Sequence, residues 1–289
     1  MVSRSAFLFV LAATAWAQQA AVKQVEIYGQ KIYYAEAGSG PDVILLHGLG
    51  ADRGSWNFTV PALASKYHVY APDQVGFGQS DKPAIDYRVG TLVDFLDAFY
   101  EKLSISKATL VGNSLGGWVA LEFAIAHPDK VDRLVLVDSA GYSPLRTGTH
   151  ALSRETLQAL NPATVEDEKR LMALVFYKKT FATDQFAELA FAAHLRKNDG
   201  YTIDRFIDAA VHGEDMLDGK LGAIKAPTLI VWGREDALVP LAAAKAFAED
   251  IHGAESVILD GCGHVPPVEC AAPFNQALLK YLGAAGGAQ

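Results

Sequence analysis

The chain has 289 residues, a hydrophobic fraction of 51% and a mean hydropathy of +0.13, which together exclude an intrinsically disordered protein. Its formal net charge is −8 at pH 7 and it contains no run of lysine or arginine, so nucleic acid is excluded as a partner. The length predicts a large buried core, organised as one domain with an insertion or as two domains.

The first 17 residues are predicted to be a signal peptide. Arg4 is their only charged residue, an apolar run covers residues 6–13, and Ala15-Trp16-Ala17 has the small-x-small pattern that precedes a cleavage site. The apolar run is too short to span a bilayer, which needs ~20 residues. A buried N-terminal strand or helix is the alternative. We therefore expect a secreted or periplasmic protein that has no stable membrane anchor.

Strands and helices alternate along residues 18–141, the first part of the predicted core domain. Gly29-Gln30 joins two strands as a hairpin, and the later strands are apolar without alternation, as in a sheet that is buried on both faces. The predicted strands are 22–28, 31–37, 43–46, 68–71, 108–111 and 134–137. The predicted helices are 56–65, 89–103 and 115–126.

The alternation stops over residues 142–214, where helical patterns alone occur, and resumes over 215–289. The helical patterns cover 165–176, 184–195 and 203–211, with Thr164, Thr183 and Thr202 as predicted N-caps. The later elements are strands 228–232 and 256–259 and helices 241–249 and 273–282. We predict an α/β fold with a mostly parallel, doubly wound sheet of the eight-stranded type and an inserted helical cap.

A glycine-rich turn links predicted strand 108–111 to predicted helix 115–126. Gly112-Asn113-Ser114-Leu115-Gly116 has the form Gly-x-Ser-x-Gly, in which the serine lies at the apex of a sharp strand-to-helix turn. Such a turn exposes the hydroxyl of Ser114 at a helix N-terminus, whose N–H groups favour negative charge. The pattern also occurs by chance in loops, so its context decides the interpretation.

A second glycine turn, His47-Gly48-Leu49-Gly50, follows predicted strand 43–46. A turn at this place can direct a backbone N–H toward an oxyanion. We therefore predict that the N–H groups of Leu49 and Leu115 form an oxyanion hole. The alternative is an ordinary turn that contains a histidine.

Two further polar residues follow strands at the same predicted edge of the sheet, Asp236 after strand 228–232 and His264 after strand 256–259. A histidine can take the serine proton, and a carboxylate orients the imidazole and stabilises the imidazolium. We predict a triad of Ser114, His264 and Asp236. Two carboxylates compete with Asp236: the adjacent Glu235, and Asp138 after strand 134–137.

Together these residues resemble the α/β-hydrolase fold superfamily over essentially all of the sequence after the signal peptide. The elbow is similar to that of the meta-cleavage-product hydrolases, which split C–C bonds in vinylogous diketones. Haloalkane dehalogenases and epoxide hydrolases, which are similar elsewhere, carry aspartate in place of the serine. The resemblance rests on His47-Gly48, Asp73 with residues 76–80, residues 112–117, residues 233–236 and Gly263-His264.

The main expectation is an exported carboxylic-ester hydrolase that works through an acyl-enzyme. C–C hydrolases of the similar group usually have tryptophan directly after the catalytic histidine, whereas this chain has Val265. Asn113 and Val265 are expected beside the substrate, and Arg196 and Arg205 in the cap are candidate cations or solvated surface residues. No metal or organic cofactor is expected, and the expected partner is a small-molecule ester.

Two alternatives to the ester hydrolase stay open. One is a C–C hydrolase of the meta-cleavage-product type, and the other is a non-catalytic ligand-binding protein on the same fold. Cys262 and Cys270 flank His264 and are the only cysteines. In an exported protein they could form a disulfide that fixes the histidine loop, or remain as two packed thiols.

Overall fold

The structure, a computed structural model, describes residues 20–142 and 154–284. The predicted signal peptide and the start of the predicted cap lie outside these residues. The strands are β1 (Ala21–Ile27), β2 (Gln30–Ala37), β3 (Asp42–Leu46), β4 (His68–Pro72), β5 (Ala108–Asn113), β6 (Val131–Val137), β7 (Thr228–Gly233) and β8 (Glu255–Leu259).

These strands form one 8-stranded sheet in the order β1-β2-β4-β3-β5-β6-β7-β8. The pairs β1/β2 and β2/β4 are antiparallel, and every other neighbouring pair is parallel. The prediction of a mostly parallel sheet is confirmed. Because β3, β5, β6, β7 and β8 run in one direction, their carboxyl ends meet at one edge of the sheet, where ligands bind in folds of this kind.

The helices of the described residues cover both faces of the sheet or lie between β6 and β7. They are α1 (Val60–Leu63), α2 (Val89–Lys102), α3 (Leu115–Ala126), α4 (Arg154–Gln158), α5 (Val165–Val175), α6 (Asp184–Lys197), α7 (Gly200–Val211), α8 (Leu241–Asp250), α9 (Pro266–Glu269) and α10 (Ala271–Gly283). None of these helices is long and apolar enough to cross a bilayer.

The sheet has an apolar layer on each side, which explains why its later strands do not alternate between apolar and polar residues. On β3, Ile44 and Leu46 belong to the layer under α2, α3 and α8, whereas Val43 and Leu45 belong to the layer under α1 and α10. A strand that is buried on both faces places apolar side chains at every position. The carboxyl ends of these strands are therefore held by packing on both sides.

Helices α4–α7, residues 154–211, are called the cap below. Thr164 and Thr183 cap α5 and α6 as predicted, because their hydroxyls accept hydrogen bonds from Asp167 N at 3.1 Å and Phe186 N at 3.2 Å. The predicted N-cap at Thr202 is wrong. Helix α7 begins at Gly200, and Thr202 is a buried residue inside it.

The predicted helix over residues 56–65 is also wrong. The segment contains a short 3₁₀ turn, Arg53–Trp56, followed by the single α-helical turn of α1. Pro61 has no N–H to donate, which restricts it to the first turn of a helix and prevents one continuous helix.

Candidate active site

Ser114 lies at the turn between β5 and α3 with φ 54° and ψ −116°, a backbone conformation that is strained for any residue other than glycine. The turn is held by hydrogen bonds on both sides of the serine. Ser114 N donates to Val137 O at 3.0 Å, and Ser114 O accepts from Ala140 N at 3.1 Å. The strain is therefore maintained by the neighbouring strand β6 and the segment that follows it.

The two flanking glycines are required because the arms of the turn are in direct contact. A Cβ on Gly112 would lie 2.2 Å from Gly116 O, and a Cβ on Gly116 would lie 2.1 Å from Leu46 O. Both contacts are with backbone atoms, which cannot move aside as a flexible side chain can. Only glycine at these two positions allows α3 to pack this closely on β5 and β3.

His264 and Asp236 form a buried hydrogen-bonded pair. His264 Nδ1 lies 2.8 Å from Asp236 Oδ2, and the two residues are 3% and 6% exposed. The other carboxylate oxygen, Oδ1, accepts from Leu238 N at 2.8 Å and from Val239 N at 2.9 Å. An ionised Asp236 places the imidazole proton on Nδ1, which leaves Nε2 free to accept a proton.

The two competing carboxylates bind backbone N–H groups instead. Glu235 Oε2 accepts from Cys262 N at 2.9 Å, and Asp138 Oδ1 accepts from Gly233 N at 2.9 Å. Asp236 is thus the carboxylate that binds the imidazole of His264 in this structure. Asp138 lies close to this pair, with ligand atoms of the three residues within 4.8 Å of one another.

The backbone of His264 is fixed from two sides. His264 N donates to Val175 O at 2.8 Å, which links the histidine loop to the cap. His264 O accepts from Asn113 Nδ2 at 3.0 Å, and the same nitrogen donates to Val137 O at 3.0 Å. The amide nitrogen of Asn113, expected to contact substrate, is thus used for positioning His264, although Asn113 still lines the adjacent cavity.

The turn that contains Leu49 is positioned by a buried histidine. His47 Nδ1 lies 2.8 Å from Gly48 O, and Gln74 N donates to His47 Nε2 at 3.0 Å. Burial lowers the pKa of His47, which favours the neutral imidazole that this pattern requires. His47 therefore holds the loop and takes no part at the cavity surface.

The two predicted oxyanion-hole residues both line the cavity at Ser114. Leu115 is the first residue of α3, so its N–H has no partner within the helix. Leu49 lines the cavity beside Ser114, and the preceding Gly48 is so close that a Cβ there would lie 3.3 Å from Ser114 Cβ. The two loops thus meet at the serine, as an oxyanion hole requires.

The cavity at Ser114 has two parts, which share Leu49, Leu160 and Leu238 as well as the serine. The larger part has a volume of about 290 Å³, contains His264 and Val265, and extends under the cap. We call it the long arm. The smaller part, about 70 Å³, is lined mainly by apolar side chains, and we call it the short arm. Its other lining residues include Leu115, Trp118, Tyr142, Leu157 and Phe206.

Three titratable residues of the cap, none of them identified from the sequence, line the long arm: Glu168, His194 and Lys197. Burial raises the pKa of Glu168 and lowers the pKa of His194, so burial favours the uncharged form of each. Lys197 Nζ donates to Gly50 O at 3.0 Å and pairs with Asp52 Oδ2 at 2.9 Å. These three residues add polar groups to a long arm whose lining is otherwise mainly apolar.

The two candidate arginines of the cap do not line either arm of the cavity. Arg196 is exposed, and Arg205 is a half-exposed residue paired with Asp208 on the same helix. Helix α6 turns about 100° per residue, so Lys197 faces the cavity while its neighbour Arg196 faces solvent.

Cys262 and Cys270 are joined by a disulfide, with their Cα atoms 6.1 Å apart. The bridge closes the loop that carries His264. Glu269, the residue before Cys270, accepts a hydrogen bond from Gly263 N at 2.6 Å. Of the two alternatives for these cysteines, the disulfide is the one found in the structure, and both of its cysteines are buried.

Comparison of the chain with known proteins identifies its family. The model of the alpha/beta hydrolase fold family matches residues 41–269. The chain is 33% identical to 2-hydroxymuconate semialdehyde hydrolase from Pseudomonas sp. strain CF600, over 88% of this chain and 90% of the relative.

Solved structures are similar over nearly the whole chain. A meta-cleavage product hydrolase from Pseudomonas fluorescens IP01 superposes with a TM-score of 0.82 and 30% identity, covering 91% of this chain and 98% of its own. A membrane phospholipase A, described as a bacterial virulence factor, superposes with a TM-score of 0.83 and 29% identity, covering 94% of this chain and 88% of its own.

Proposed function

Because the chain belongs to the α/β-hydrolase fold family, we propose that it is a serine hydrolase with Ser114 as nucleophile and His264 as general base. The observation that supports these roles best is the buried His264–Asp236 pair, which lines the same cavity as the strained Ser114. A non-catalytic binding protein has no need for this combination. Labelling by a fluorophosphonate probe, which requires an activated serine, distinguishes the two.

The proposed reaction begins when Ser114 Oγ attacks an acyl carbon and its proton passes to His264 Nε2. The oxyanion accepts hydrogen bonds from the N–H groups of Leu49 and Leu115, and Asp236 stabilises the imidazolium. His264 then protonates the leaving group, and a water molecule releases the acyl group from Ser114. For an ester this sequence is complete, because the leaving alcohol takes its proton from His264. For a C–C bond a proton must first move to a carbon of the substrate, so that the leaving group departs as a stabilised carbanion equivalent.

The first candidate substrate is a meta-cleavage product, in which a C–C bond next to a ketone is hydrolysed. The relative from strain CF600 and the similar hydrolase from P. fluorescens both favour this reaction over the ester cleavage expected from the sequence. A substrate with two different ends would place its acid end in the long arm beside Lys197 and its hydrocarbon end in the short arm.

Ester cleavage is the second candidate, and specific observations favour it. Val265 lines the long arm where similar C–C hydrolases carry tryptophan, and the ammonium of Lys197 is already bound to Asp52 and to Gly50 O. The similarity to a phospholipase A also favours ester cleavage. A simple ester needs a nucleophile, a base and an oxyanion hole, and it does not need a fixed cation.

A side-by-side assay decides between the two substrates. One preparation is given a meta-cleavage product and a series of p-nitrophenyl esters of rising chain length, and kcat/KM is compared. We expect the meta-cleavage product to have the higher kcat/KM. The reverse ranking would favour the ester, and absence of both activities together with no fluorophosphonate labelling would contradict a serine hydrolase. The Ser114→Ala variant corrects for turnover outside this site.

We also propose that the protein is exported. The pattern of residues 1–17 supports this, and a disulfide such as Cys262–Cys270 is characteristic of oxidising compartments. Mass spectrometry of the native protein should find a mature N-terminus at Gln18. An intact N-terminus in the cytoplasmic fraction would contradict export.

A further inference from the structure

A second buried acid lies behind the His264–Asp236 pair. Asp138 directly follows β6, is 0% exposed, and has a positive φ of 45°. One ligand atom from each of Asp138, Asp236 and His264 lies within 4.8 Å of the others. This acid has no part in the reaction described above, although it is buried against the group that orients the base.

The two carboxyl groups differ in how many hydrogen bonds they accept. Asp236 accepts three, from His264 Nδ1, Leu238 N and Val239 N. Asp138 Oδ1 accepts one, from Gly233 N, and Asp138 Oδ2 is buried without a hydrogen-bond donor in the described part of the chain. A carboxylate is stabilised by donors, so the negative charge belongs on Asp236 and the proton belongs on Asp138.

The surroundings of Asp138 add to this asymmetry. The charged or titratable groups that act on it are Asp236, Glu269 and the imidazole of His264. Burial raises the pKa of Asp138 well above its usual range, and the negative charges of Asp236 and Glu269 raise it further. Two carboxylates this close in a buried site cannot both ionise at neutral pH.

We propose that Asp138 is a positioning residue that is protonated at neutral pH and donates its proton to the Asp236 carboxylate. The hydrogen-bonded chain then runs from His264 through Asp236 to Asp138, and the pair of acids carries one negative charge. The proposal rests on the roles given to His264 and Asp236 in the proposed function. It gives the buried Oδ2–H of Asp138 an acceptor and gives the Asp236 carboxylate a fourth hydrogen-bond donor.

Loss of the Asp138 proton should impair both catalysis and folding. A second negative charge would repel Asp236 and displace the carboxylate that orients His264, so kcat should fall at alkaline pH. The raised pKa in the folded state has a defined effect on stability. Its contribution is fully present below the pKa of an unfolded aspartic acid and is lost as pH rises through the folded-state pKa.

Asp138→Asn is the informative variant because asparagine imitates the protonated acid. Its amide oxygen can accept from Gly233 N, and its amide nitrogen can donate to Asp236. We expect kcat at neutral pH within about tenfold of the parent, because both hydrogen bonds are kept. The fall in kcat at alkaline pH should disappear. The thermal midpoint of the variant should decrease less with rising pH than the thermal midpoint of the parent. Asp138→Leu, which keeps neither bond, should lose more than about tenfold in kcat.

An infrared difference spectrum tests the proton without any substrate. The parent minus Asp138→Asn spectrum at neutral pH should contain the carbonyl stretch of a protonated carboxylic acid. This band and the stability profile do not depend on which bond the enzyme cleaves, so they separate failure of this proposal from failure of the proposed function.

Three outcomes would overturn the proposal. The first is absence of the band together with an unchanged alkaline fall in kcat in Asp138→Asn, which would make Asp138 only an acceptor for Gly233 N. The second is loss of activity in Asp138→Asn but not in Asp236→Asn, which would make Asp138 the ionised acid of the triad. The third is failure of Asp138→Asn to fold, because the variant keeps both proposed hydrogen bonds.

Discussion

The carboxyl edge of the sheet and the cap line the same cavity, but different forces hold their functional groups. At the sheet edge, Ser114, Asp236 and His264 lie on turns whose backbone groups are bound by buried hydrogen bonds. In the cap, the cavity-lining groups are side chains on helices whose outer faces are open to solvent. Leu189 is 64% exposed and Leu195 is 62% exposed on the same helix as Lys197.

This difference indicates where the protein tolerates change. The elbow at the sheet edge depends on close backbone contacts at Gly112 and Gly116, which no residue other than glycine allows. An apolar cap side chain such as Leu171 can be replaced without removing a hydrogen bond to the sheet edge, whereas Lys197 binds Gly50 O there. We therefore expect the chemistry to depend on the sheet edge and the choice of substrate to depend on the cap. Substitutions at the sheet edge should therefore have larger effects than substitutions in the cap.

Ser114→Ala should abolish turnover and leave the fold intact. Removal of the nucleophile of a complete triad typically costs on the order of 10⁴ to 10⁶ in kcat. Alanine has to adopt the same positive φ as the serine, so the elbow remains strained but keeps its hydrogen bonds to Val137 and Ala140. Steady-state kinetics with circular dichroism checks both parts. Activity within tenfold of the parent would show that Ser114 is not the nucleophile.

Gly112→Ala should destabilise the protein severely, because the new Cβ would lie 2.2 Å from Gly116 O. A clash between backbone segments in a packed elbow costs about 3 kcal/mol or more. Gly222→Ala is the matched control, since a Cβ there has no neighbour within 4 Å. The control should change stability by less than about 0.5 kcal/mol. Equal denaturant midpoints for the two variants would contradict this view of the elbow.

The sheet edge could be predicted from the sequence because its signals are local. A Gly-x-Ser-x-Gly motif or a polar turn after an apolar run marks where each buried strand ends. Parallel strands bring those ends together at one edge of the sheet. Ser114, Asp236 and His264 were therefore identified from residue type and position alone. The choice of Asp236 over Glu235 and Asp138 depends on side-chain directions, which the structure supplies as hydrogen bonds.

The cap residues at the cavity could not be identified in this way. Arg196 and Lys197 are neighbours on one helix, and only its packing decides which of them faces the substrate. Asn113, a predicted substrate contact, lines the long arm. The hydrogen-bond partners of its amide nitrogen, Val137 O and His264 O, come from distant parts of the chain. Such contacts leave no periodic signal in the sequence.

The smallest predicted effect is that of Lys197→Met, which tests whether the cap influences the sheet edge. Lys197 Nζ joins α6 to the loop beside the oxyanion hole, through Gly50 O at 3.0 Å and Asp52 at 2.9 Å. Methionine keeps the length of the side chain and removes both contacts. We expect kcat/KM to fall about tenfold, equivalent to about 1.4 kcal/mol, because a slightly misplaced oxyanion loop weakens transition-state binding.

Lys169→Met is the matched control for that variant. Lys169 is also a cap lysine paired with an aspartate, Asp184, but that pair is exposed and does not line the cavity. An exposed ion pair contributes about 0–1 kcal/mol, so the control should leave both kinetics and stability nearly unchanged. A fall confined to kcat in Lys197→Met would assign the effect to the oxyanion loop, whereas a rise confined to KM would assign it to substrate binding. If both variants matched the parent, Lys197 would have no influence on the sheet edge. The cap would then affect the choice of substrate without affecting the catalytic groups.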